Sequence, residues 1–91
     1  MKEVCIPPHV YTTFFEESAV LLDGQKNIYY ALNDSAADFW SLLIKSGSLE
    51  ETLKEISYLY EVSSDILIKD MDVLVNSFLK AGLLEIKRSN F

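Results

Sequence analysis

The hydrophobic period of this chain changes once, at Leu32-Asn33, from two to about 3.6. Residues before that point read as strands and residues after it as helices. That order confines the fold to an α+β domain in which a small sheet comes first and a helical layer covers one of its faces. On the strand side, Val20 to Leu32 (VLLDGQKNIYYAL) reads as a β-hairpin: an apolar run, a loop of Asp23, Gly24, Gln25, Lys26 and Asn27, then a run of β-branched and aromatic residues. With Ile28, Tyr30 and Leu32 toward the core, strand alternation sends Tyr29 and Ala31 to the opposite face. Upstream, Pro7 and Pro8 force an extended, non-helical lead-in. Val10 to about Phe15 then has strand chemistry, and Glu16, Glu17 and Ser18 make a turn. The result is a three-stranded meander with the first and third strands as edges. The tandem proline blunts the first edge. The third, Ile28 to Leu32, holds no proline, lysine or glycine and so lacks the usual protection against pairing with another chain.

Three helices are expected to follow. Asn33 or Ser35 can cap the first, which carries Ala36, Phe39, Trp40 and Leu43 on one face and ends at Gly47. Ser48-Leu49-Glu50-Glu51 is a capping box opening the second, where Leu49, Leu53, Ile56 and Tyr60 repeat at helical spacing until Val62 and Ser63 interrupt them. The third runs from about Ser64 to Ala81, capped by Ser63 or Ser64, with Asp65 near its positive end and Gly82 as its stop. Its main stripe is Leu67, Met71, Leu74 and Phe78. A second stripe of Ile68, Val75 and Leu79 makes the apolar face wider than one packing partner needs, so the helix is expected to touch both the other helices and either the hairpin or a ligand beside it. Leu83 to Ile86 suits a short extended tail, and Lys87 to Phe91 a frayed end.

Size and charge remove several function classes. Ninety-one residues, 49% of them apolar, suit one domain. The longest apolar runs fall far short of the roughly 20 residues that cross a bilayer, and no basic-then-apolar leader opens the sequence. A cytoplasmic location without membrane contact is therefore expected, and the single Cys5 is compatible with it. Fourteen acidic against eight basic residues, net −6, with one arginine at position 88, argue against a phosphate-tracking surface. A winged-helix-like transcriptional module is the alternative function for this element order. Its recognition helix would need outward Arg, Lys, Asn or Gln, whereas Asp65, Asp70 and Asp72 outnumber Lys69 and Lys80 here.

No catalytic or metal constellation emerges, and no cofactor is expected. His9 follows two prolines without a partner at ligand or triad spacing and reads as an exposed residue leading into a strand. Cys5 has no base positioned beside it. Glu16-Glu17 is a solvated turn, and Asp70 and Asp72 point to different sides of a helix.

The segments His9-Val10, Ala19-Val20-Leu21-Leu22-Asp23 and Ile28-Tyr29-Tyr30-Ala31-Leu32-Asn33, the aromatic Trp40, and the stretch from Asp70 to Gly82-Leu83-Leu84 together resemble the PqqD-like family over about residues 6 to 86. The hairpin loop departs from the pattern, lacking the family's frequent Thr-Gly before the tyrosine. The resemblance implies a winged-helix-like α+β fold, a three-stranded antiparallel sheet followed by a three-helix bundle. It also implies a non-catalytic recognition domain that holds the leader of a ribosomally made precursor peptide. The short form with a Pro-Pro-His-Val opening is most similar to the stand-alone recognition proteins of lasso-peptide pathways. In that family the leader adds as a fourth, antiparallel strand beside the third, in a groove against the third helix. Carried over residue by residue, the expected contacts are Asn27, Ile28, Tyr29, Tyr30 and Ala31 from the strand and Lys69, Asp70, Val73, Leu74 and Ser77 from the helix. The expected partners are the leader, a leader peptidase and peptide-modifying enzymes. Free of leader, the chain is expected to be a monomer or a weak dimer through the open edge.

Overall fold

In the computed structural model, which describes residues 3–61 and 63–87, eight elements follow one another along the chain. They are β1 (Val4–Cys5), β2 (Val10–Phe14), β3 (Ala19–Asp23), β4 (Ile28–Leu32), α1 (Asp34–Ser46), α2 (Leu49–Tyr60), α3 (Ser64–Ala81) and β5 (Glu85–Ile86). Strands β2, β3 and β4 form the antiparallel meander in that order. The three helices have the expected order, and both α1 and α3 end on glycines in the left-handed conformation, Gly47 and Gly82.

The hairpin between β3 and β4 is held from inside. Asp23 closes β3 as a buried residue rather than opening an exposed loop. Its Oδ1 accepts hydrogen bonds from the amides of Gln25 (3.0 Å) and Lys26 (3.1 Å), while the Asn27 amide donates to the Asp23 carbonyl at 2.8 Å. Asn27 takes φ 57°, a left-handed conformation that asparagine tolerates better than most residues. The Lys26 amide above all, helped by the Gln25 amide and by the charges of His9 and Lys26, outweighs burial and holds the Asp23 carboxyl below its ordinary value of 3.8. His9 is half-buried with its Nε2 3.9 Å from Asp23 Oδ1, so the exposed position expected for it is not found.

Trp40 joins sheet and helices. It is fully buried, its Nε1 donates to Thr12 Oγ1 on β2 at 2.9 Å, and its ring meets Phe78 of α3 edge-on with centroids 5.0 Å apart. Phe78 also stacks on Phe39 of α1 at 6.2 Å. Around this cluster pack Ala19, Leu21 and Leu32 from the sheet, Leu43, Ile56, Leu67 and Met71 from the helices, and Leu83 and Leu84 after them.

The ends of the chain differ from expectation. Val4–Cys5 is a strand that pairs antiparallel with Glu85–Ile86, and the Lys87 amide donates to the Glu3 carbonyl at 2.9 Å. Two isolated two-residue strands carry no periodic signal, so only their meeting in space creates them. Arg88 to Phe91, read as part of a frayed end, lie outside the described residues, as does Val62 between α2 and α3. Of the side-chain caps, only Ser48 is observed, its Oγ accepting from the Glu51 amide at 3.3 Å. Asn33 and Ser63 hold the cap positions of α1 and α3 without a side-chain cap hydrogen bond, and Ser35 lies inside α1. The second stripe of α3 turns away from the hairpin. Ile68, Val75 and Leu79 instead line a cleft of about 280 Å³ with Val4, Leu49, Leu53 and Ile86.

Two outcomes test this frame. Replacing Thr12 with Val leaves the buried indole N–H without its acceptor and is expected to destabilise the fold by about 1–3 kcal/mol, read from the urea unfolding midpoint. Because folding lowers the Asp23 pKa, its ionised form adds stability above the ordinary carboxylate range, lost as pH falls through the lowered value. Asp23→Asn should therefore unfold more easily than the unaltered chain at neutral pH, with the gap closing in acid; a gap independent of pH would refute this account.

Candidate peptide-binding edge and cleft

Antiparallel pairing makes each residue aim both of its backbone groups at one neighbouring strand, alternating along the chain. The amide of Phe15 donates to the Ser18 carbonyl and that of Gly24 to the His9 carbonyl, at the two ends of the β2–β3 pair. By alternation Val20 and Leu22 bond toward β2, and Ala19, Leu21 and Asp23 bond toward β4. Facing those three across the second ladder are Leu32, Tyr30 and Ile28. Tyr29 and Ala31 are left with N–H and C=O directed away from the sheet, and no described strand lies on that side. Of the five expected strand residues, these two present outward hydrogen-bonding groups; the Asn27 amide is engaged in the turn, and Ile28 and Tyr30 bond inward.

The side chains follow the same alternation. Tyr29 is 70% exposed, and with Tyr11 and Leu22 it forms a row across the outer face. Tyr30 is half-buried against the core and Leu32 is buried. Ile28 shares their face but is exposed.

Where β4 ends, a cleft of about 540 Å³ begins. One wall is the start of α1, with Asn33, Ser35, Ala36 and Phe39; the end of α2 adds Ile56 and Tyr60. The opposite wall is α3, with Leu67, Asp70, Met71, Val73, Leu74 and Ser77. Buried Phe39, Ile56, Leu67 and Met71 make an apolar floor, half-buried Leu74 a side, and exposed Val73 and Ser77 the lip. Spacing alone assembles this wall, since residues three and four apart share a helix face. Asp70, Val73, Leu74 and Ser77 are thus brought together as expected from the sequence, while Lys69, one position before Asp70, does not line the cleft. Ser77 Oγ donates back to the Val73 carbonyl at 3.0 Å. The contribution of α1 and α2 went unread because Ala36, Phe39, Ile56 and Tyr60 sit in apolar stripes that signal core packing.

The electrostatics of the cleft are one-sided. Tyr60 Oη donates to Asp38 Oδ2, a hydrogen bond that, with burial and the charges of Asp38 and Asp34, raises the phenol above its ordinary value. Asp70 adds a carboxylate from the α3 wall, and no Lys, Arg or His is among the described lining residues. Nothing in this arrangement resembles an acid–base pair or a metal centre; no cluster of three or more His, Cys, Asp or Glu suited to a metal occurs among the described residues. Nor is any described helix long and apolar enough to cross a membrane.

Two solved structures share the whole architecture. TbiB1, in complex with the TbiA(beta) leader peptide, superposes with a TM-score of 0.85 at 26% identity, covering 98% of this chain and 100% of its own. A lasso peptide synthetase B1, complexed with the leader peptide, superposes at 0.79 with 28% identity, over 91% of this chain and 98% of its own. No curated protein matches the sequence. The family model described as Coenzyme PQQ synthesis protein D (PqqD) matches residues 18–84, from the end of the first turn to the buried leucines after α3. An edge strand of that sheet, the cleft beside it and both of its helical walls fall within the matched region, and the chain belongs to the PqqD family.

Proposed function

We propose that this chain is a non-catalytic adaptor of a lasso-type peptide pathway, acting in the cytoplasm. Its recognition domain, about residues 6–86, receives the leader of a ribosomal precursor peptide as a fourth strand on β4 and presents it to a separate leader peptidase and modifying enzymes. The observation that carries this reading is the continuity of two features. A strand edge with free backbone groups at Tyr29 and Ala31 leads directly into an apolar cleft against α3. Both solved relatives above hold a leader peptide, which supports the same use of this chain.

The two features divide the work of binding. Main-chain bonds to Tyr29 and Ala31 supply affinity that tolerates many sequences, and the cleft selects side chains. About four such bonds at about 1 kcal/mol each and two anchors buried in the cleft at about 2 kcal/mol each amount to about 8 kcal/mol. That gross figure corresponds to about 1 μM, and ordering a free peptide subtracts from it, so the affinity is expected to be micromolar or weaker. Ile28, Tyr29, Tyr30 and Ala31 form the strand side of the proposed site, and Asp70, Val73, Leu74 and Ser77 the helix side.

The leader half of the precursor encoded beside this gene, made as a synthetic peptide, is the direct probe. Titrated into labelled protein, it should shift the amide resonances of residues 28–31 and of α3; unchanged spectra at saturation would sink the proposal. Ala31→Pro removes one outward N–H without touching the bonds to β3. It is expected to keep the circular-dichroism spectrum while weakening the peptide about tenfold, by calorimetry.

A further inference from the structure

The other edge of the sheet is open as well, over more of its length than the prolines before it suggest. Tyr11 and Thr13, opposite Leu22 and Val20, direct their backbone groups to β3, so those of Val10, Thr12 and Phe14 point away from the sheet. The Val10 amide donates to the Pro7 carbonyl at 3.1 Å, and there the protection given by the tandem proline ends. No described strand lies beyond Thr12 and Phe14. Beside those free groups stand Tyr11, Phe14 and Phe15, all exposed, and no charged residue interrupts the run from Val10 to Phe15.

A strand with this pattern is complementary to itself. When two copies lie antiparallel about a two-fold axis through Thr13, Thr12 of each faces Phe14 of the other, and each such pair exchanges N–H···O bonds in both directions between groups that are otherwise free. An axis through Thr12 would instead set Phe14 against Val10, whose amide is already engaged, and an axis through Phe14 would set Thr12 against Glu16, past the end of the strand. With the axis at Thr13, Tyr11 of each copy meets Phe15 of the other on the outer face, at non-hydrogen-bonded positions where side chains come closest. Charge agrees with this register. Glu16 and Glu17 fall beyond the strand ends, on the side of the other copy's Val10 and His9 rather than against their own counterparts.

We infer that the partner of this edge is a second copy of the chain, joined by antiparallel β2–β2 pairing about Thr13 so that the two sheets become one. Both β4 edges are left at the outer margins of the joined sheet, and self-association does not compete there with capture of a peptide. Pairing one short strand buries less than a permanent dimer requires, so the association is a concentration-dependent equilibrium. The inference does not rest on the adaptor reading, and it moves self-pairing from the β4 edge, where the sequence led us to expect it, to β2.

Sedimentation velocity of the full chain at rising concentration should show a monomer–dimer equilibrium. Hydrogen exchange at the upper end should protect the Thr12 and Phe14 amides, while those of Tyr29 and Ala31 keep their rates. Thr13→Lys changes an exposed residue of the monomer but sets two like charges against each other at the axis. It should weaken the dimer about five- to tenfold with an unchanged circular-dichroism spectrum. Phe14→Pro removes an outward N–H from each copy without touching the bonds to β3, and should weaken the dimer about tenfold or more. Cys5→Ser/Thr13→Cys gives the opposite sign. Residues facing each other in a non-hydrogen-bonded pair stand about 4.5 Å apart at Cα, within disulfide reach, so mild oxidation should link this variant faster than it links the unaltered chain through its exposed Cys5. A chain that stays monomeric throughout, a dimer unaffected by Thr13→Lys, or protection that arises at Tyr29 and Ala31 in place of Thr12 and Phe14 would overturn the inference. Each of those results leaves the adaptor reading standing, since peptide binding is read at the other edge.

Discussion

The indole of Trp40 is the contact on which the arrangement depends. The sheet and the helices are consecutive halves of the chain, and nothing in their local chemistry says how one should lie on the other. A single buried side chain does so: its N–H is bonded to Thr12 on β2, and its ring is set against Phe78 of α3. Those two attachments hold α1 against the sheet and α3 against α1. A cleft between α1 and α3 that opens at the end of β4 follows from them. A buried indole N–H needs an acceptor, so the bond to Thr12 gives this packing an orientation that dispersion alone would not.

The edge itself depends on a second polar group. Because Asp23 gathers the amides of Gln25 and Lys26 and its carbonyl accepts from Asn27, the turn admits one register of β4 on β3. Slipping that register by one residue would turn Tyr30 to solvent and exchange the residues whose backbone groups face outward. The identity of Tyr29 and Ala31 as the outward pair is thus settled at the turn. Edge strands of this kind invite self-association, and most proteins blunt them. Here the open edge belongs to a PqqD-family chain whose solved relatives hold leader peptides, and the proposed adaptor role would turn that liability to use.

The helix α3 serves two clefts at once. Leu67, Leu74 and Ser77 face the cleft at the end of β4, while Ile68, Val75 and Leu79 face the one formed with β1, β5 and α2; Met71 reaches both. The width of its apolar surface was visible in the sequence. Its meaning was not, because a stripe records that a side chain leaves water and is silent on what replaces the water.

Sequence alone determined the element order, the helix stops at Gly47 and Gly82, the cap at Ser48, the unprotected chemistry of Ile28 to Leu32, and the helix face shared by Asp70, Val73, Leu74 and Ser77. All of these are set by neighbours within a few residues, where backbone geometry and hydrophobic period act directly. Tertiary structure alone decided the β1–β5 pair, the half-buried place of His9 beside Asp23, and the part played by Ala36, Phe39 and Tyr60 in the cleft. Each of those joins residues far apart in the chain, whose meeting is set by strand pairing and by where the helices lie on the sheet rather than by local backbone geometry.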